Sequence, residues 1–133
     1  MRKLFFLLLP ALFFACKGEP GTETSEGTST EVNEGETANL TPSQKLGKEI
    51  FEGKGLCSTC HKPDQKMAGP SLEEIARVYK EKGGNMIAFL EGKSNPLVDP
   101  SQYEIMKANI LVTKDYPDEE LVALQDYIMT FAK

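Results

Sequence analysis

The densest chemistry in this chain of 133 residues lies in five consecutive positions, Cys57-Ser58-Thr59-Cys60-His61, and His61 is its only histidine. Two thiols one turn apart, followed at once by an imidazole, form the pattern by which a polypeptide holds a c-type haem. The thiols add across the two vinyl groups of the porphyrin, and the histidine reaches the iron as an axial ligand. The spacing sets both sulfurs along one edge of the macrocycle, with the imidazole under the metal. Cys-x-x-Cys also serves thiol–disulfide exchange, but that use wants a strand before the motif and a βαβ setting, and neither pattern is present. A zinc site would lack its fourth ligand.

An iron held by His61 has a second axial position. A thioether there is a soft donor that favours ferrous iron and raises the potential. Met67, Met86, Met106 and Met129 are the methionines beyond the first residue. Met67 follows His61 by six residues, a short loop for wrapping round a macrocycle. Met86 sits in a short apolar segment, where Met commonly fills gaps. Met106 precedes the last helical pattern and Met129 lies within it. The residues alone leave this choice open.

The elements that position these groups all read as helices. Thr41-Pro42-Ser43-Gln44 is a capping box with Pro at the first helical position. Leu46, Ile50 and Phe51 form the apolar stripe behind it, with Gly47 on the same face and Gly53 as the stop. The loop from Lys54 to Pro70 carries the cysteines. Ser71-Leu72-Glu73-Glu74 is a second capping box opening a helix over 72–82, ended by Gly83-Gly84. Asn85 caps a short helix ending near Gly92. Residues 95–100 read as a loop broken by Pro96 and Pro100, and a short helix is expected over 101–110. Pro117-Asp118-Glu119-Glu120 opens the last helix, with acidic groups at the positive end of its dipole. Leu121, Leu124, Ile128 and Phe131 repeat there at helical spacing. No period-2 pattern occurs, so the expected fold class is all-α.

Residues 40–133 resemble the class I monohaem cytochromes c. Four features carry the resemblance in order: the Gly47/Phe51 helix face, Cys57-x-x-Cys60-His61, Gly69-Pro70 soon after the histidine, and a Met ahead of a last helix that opens Asp-Glu-Glu-Leu and contains Tyr127-Ile128. The resemblance implies four to five helices around one covalently bound haem c. It implies Met106 as the sixth ligand, although the Pro often found beside that Met is absent here. It also implies that the Pro70 carbonyl accepts the Nδ1–H of His61, orienting the ring and raising its basicity. Gly47 and Phe51 would then cross Leu124 and Tyr127.

The N-terminal residues read as export and anchoring. Arg2 and Lys3 precede an apolar run to Ala15 too short for a comfortable membrane span, so 1–15 reads as a signal peptide. Phe13-Phe14-Ala15-Cys16 resembles the lipobox of bacterial lipoproteins, with Phe13 where that family usually has Leu. The resemblance implies a lipidated Cys16 and a membrane-anchored protein facing the periplasm or the outside. Residues 17–39 hold six Glu and one Lys among Gly, Ser and Thr. They read as a flexible acidic tether, spanning roughly 75 Å when fully stretched. This stretch dominates the net charge of −5; residues 40–133 have 12 basic and 14 acidic side chains and no basic block for nucleic acid.

The expected function is one-electron transfer in an exported, membrane-anchored chain, with a quinol-oxidising complex, a terminal oxidase or another reductase as redox partner. Lys54, Lys62 and Lys66 flank the attachment motif and could equally steer an acidic partner or be plain solvated lysines. An open sixth site would instead make a haem-based sensor or a peroxidase-like domain.

Overall fold

In the computed structural model the described residues are 39–133. The expected signal peptide 1–15, the expected lipidation site Cys16 and residues 17–38 of the expected tether lie outside them.

Thr41 starts helix α1 (Pro42–Glu52) as the sequence predicts: its side chain accepts from the Gln44 N–H, and the Gln44 side chain returns to the Thr41 N–H at 2.9 Å. The reciprocal bonds satisfy two backbone donors that a helix start leaves unpaired. A single turn of 3₁₀ helix covers Cys57–Thr59. Helix α2 (Leu72–Lys82) is capped by Ser71, but only the serine half of the expected box forms; Gly83, at φ 62°, ends the helix in the left-handed region. Asn85 caps α3 (Met86–Leu90) through its side chain and the Ala88 N–H, 2.9 Å apart.

After a loop and a 3₁₀ turn at Pro100–Gln102 comes α4 (Tyr103–Thr113), longer than the expected 101–110 helix. Its last turn is held because Ile110 and Thr113 are buried and the Thr113 hydroxyl donates to the Leu90 carbonyl at 2.6 Å. Helix α5 (Asp118–Met129) follows with Asp118, Glu119 and Glu120 in its first turn. Phe131 lies beyond its end yet keeps its expected place, edge-on to Tyr127 with centroids 5.5 Å apart.

The domain is all-α, as expected. Among the described residues there is no strand, only an isolated bridge between His61 and Lys66.

The frame is the crossing of α1 and α5. A Cβ on Gly47 would stand 2.8 Å from the Tyr127 Cβ and closer still to the Ala123 carbonyl, so only glycine permits this approach. One turn later Phe51 meets Tyr127 edge-on, with centroids 5.5 Å apart. Ser43 adds a hydrogen bond from its hydroxyl to Asp126 Oδ2 at 2.7 Å. Leu121 and Leu124 are almost fully enclosed on the same side of α5. Enclosing each of them contributes about 1.5–3 kcal/mol.

Candidate functional site

The attachment motif is shaped by its own backbone. The Cys57 carbonyl accepts the N–H groups of both Cys60, at 3.1 Å, and His61, at 3.0 Å. This tight turn gathers the two sulfurs and the imidazole. Entry into it is demanding: Leu56 sits at φ 52°, where a residue with a Cβ costs about 1 kcal/mol or more. Its carbonyl is secured by the Thr59 hydroxyl at 2.6 Å.

The loop then folds back. The Gly69 N–H donates to the Cys60 carbonyl at 3.0 Å, which returns Gly69-Pro70 to the histidine. The His61 Nδ1 lies 2.7 Å from the Pro70 carbonyl oxygen. A carbonyl can only accept, so the proton is on Nδ1 and the Nε2 lone pair remains for a metal. Gly69 lies against the ring face; a Cβ there would be 2.8 Å from Nδ1 and 3.0 Å from Nε2. Gly69→Ala should therefore displace the imidazole and loosen its bond to Pro70, destabilising the haem-loaded domain by about 1–3 kcal/mol. A thermal melt checks this; an unchanged midpoint would contradict it.

All of these groups border one cavity of about 450 Å³. That is within the usual range for cofactor sites. Each helix supplies an apolar wall: Phe51 from α1, Ile75 from α2, Phe89 from α3, Met106 from α4 and Leu124 from α5. Cys57, Cys60, His61, Pro70 and Met106 all line it, so residues spread over 50 positions of sequence are brought together.

Of the other methionines, Met86 also lines the cavity but is 3% exposed in the core, whereas Met67 is 49% exposed and neither it nor Met129 borders the cavity. Leu56 and Ile105, about three-fifths exposed, stand on the cavity rim. An apolar macrocycle seated there would cover part of that surface.

The two cysteines are free thiols in half-buried positions. Burial pushes the Cys57 thiol up to about 11, opposed by a hydrogen bond from Asn109. A catalytic exchange cysteine needs the opposite shift, since the thiolate is the nucleophile. The donor set therefore suits a covalently attached haem: two thiols at one edge, one oriented imidazole with a free Nε2, and a dry-walled hollow between.

Of the flanking lysines, Lys54 pairs with Glu120 and lies 4.6 Å from the Tyr116 ring centroid, and Lys66 pairs with Asp99 at 3.0 Å. Two of the three expected steering charges are thus partly neutralised within the domain.

The sequence reading passed over Asn109, Thr113 and Tyr116. Asn109 is one helical turn after Met106, a spacing that could have flagged it. The buried Thr113 and the Tyr116 hydroxyl, which is buried without a hydrogen-bond partner, left no periodic signal.

A family model described as Cytochrome c matches residues 44–132, two thirds of the chain. No curated protein matches.

Proposed function

Because the chain belongs to the cytochrome c family, which binds covalently attached haem c, we propose that it is a one-electron carrier ligated by His61 and Met106. The family's domains are typically carriers rather than enzymes. The observation that carries the ligation reading is the Nδ1–Pro70 bond, which leaves Nε2 available on a cavity that Met106 also borders.

Met106 is favoured over Met86 by its setting. Met86 belongs to the buried cluster that packs α1, α2, α3 and α5 together, an ordinary core role. Met106 is half-buried and packs against that cluster without belonging to it.

The haem supplies a reversible ferric–ferrous couple. The protein's share is to hold it and keep it from other chemistry. Cys57 and Cys60 would fix its edge, Pro70 orients His61, and the apolar walls would keep water away and so limit reorganisation. Met106 would offer its thioether as the second protein ligand, which would leave small molecules no open site. No second histidine stands by as a proton relay.

Export and attachment through lipid on Cys16 belong to the same proposal and rest on the N-terminal sequence. The partner is a redox protein that meets the cavity mouth through a small interface. The apolar rim at Leu56 and Ile105 supports this contact more than the paired lysines do.

Spectroelectrochemistry with carbon monoxide tests the carrier reading. The purified protein should titrate as one reversible one-electron couple, and its reduced spectrum should not change under carbon monoxide. Stoichiometric binding of the gas by the wild-type protein would favour the open-site sensor instead.

A further inference from the structure

Helix α4 is fully buried at one end only. Its buried residues are Ile110 and Thr113, both in its last turn, and none of residues 103–109 is buried. The turn that carries Met106 is held more lightly: Met106 packs half-buried against the core, and Tyr103 meets Phe89 with ring centroids 6.2 Å apart.

One polar side chain compensates. Asn109 lies three residues after Met106, on the same side of the helix, and both border the cavity. Its Nδ2 donates to the Gly55 carbonyl at 3.1 Å and lies 3.8 Å from Cys57 Sγ. A side-chain amide has two N–H groups, so both contacts can be made together. The loop is tied down at the same residue, since the Gly55 N–H donates to the Ile50 carbonyl at 2.8 Å.

The arrangement suits the attached state. As a free thiol, Cys57 donates to the same Gly55 carbonyl at 3.2 Å. When the sulfur becomes a thioether it loses that proton and can only accept. The Gly55 carbonyl then keeps the Asn109 donor, and the sulfur still faces the second N–H.

We propose that Asn109 is a positioning residue that ties the Met106 helix to the haem-attachment loop and so keeps the methionine on the iron. This rests on the reading of Met106 as axial ligand.

The test is competition by imidazole for the iron of the ferric haem-loaded protein, followed through the methionine-to-iron charge-transfer band. Four variants accompany wild type: M106A, N109L, N109S and S43A. N109L removes the donors while keeping the branching and heavy-atom count, and N109S gives the answer should N109L fail to mature. S43A removes a hydrogen bond between α1 and α5, away from α4, and controls for general loss of stability.

M106A should lose the band and take imidazole far more tightly than wild type. N109L and N109S should keep the band but bind imidazole about tenfold more tightly, the order expected of one net hydrogen bond. S43A should bind as wild type does. Wild-type affinity in the Asn109 variants beside a strong M106A effect would overturn the positioning role alone. An M106A protein indistinguishable from wild type would overturn the ligand reading, and this inference with it.

Discussion

Replacing Cys57 and Cys60 with serine is expected to yield a domain that holds no covalent haem and has lost much of its stability. The hollow between the helices measures about 450 Å³. At about 24 cal/mol per Å³ a sealed void of that size would cost about 11 kcal/mol. The mouth is open at Leu56 and Ile105, so water relieves part of this, and the expected loss is several kcal/mol. That is a large share of the roughly 5–15 kcal/mol that holds a small domain together. The midpoint of thermal unfolding, followed by circular dichroism, should fall by about 20 °C or more against the haem-loaded protein. A haem-free variant melting within a few degrees of the loaded one would mean that the helices stand without their cofactor.

The second large effect belongs to Gly47. Alanine there places a Cβ against the Ala123 carbonyl and 2.8 Å from the Tyr127 Cβ. Neither neighbour is the free end of a flexible side chain, so α1 and α5 must separate. Separation also opens the Phe51–Tyr127 contact and the Ser43–Asp126 hydrogen bond. Overpacking of this kind costs about 3 kcal/mol or more when backbone has to move. Denaturant unfolding of the loaded Gly47→Ala protein checks it. A loss below about 1 kcal/mol would show that the crossing adjusts more freely than its geometry allows.

Much of this arrangement was legible in the residues because local rules wrote it. The Thr41 box, the Gly83 stop and the Asn85 cap are set by hydrogen bonds within four residues, and they formed as read. The attachment turn is equally local, since the Cys57 carbonyl gathers Cys60 and His61.

Where tertiary contacts decide, reading along the chain fell short. Helix α4 runs on to Thr113 because a hydroxyl finds the Leu90 carbonyl across the fold. Lys54 and Lys66 read as free charges, but Glu120 and Asp99 are brought beside them from distant positions. The Asn109–Gly55 bond joins residues 54 positions apart. No periodicity announces such a pair.

Carrier function as proposed requires a haem gripped from both faces, by His61 and by Met106. The most direct measurement is the ferric charge-transfer band in Met106→Ala beside Met86→Ala, each loaded with haem. The band should vanish in the first and persist in the second. A band that survives without Met106, or that depends on Met86 instead, would contradict this ligation.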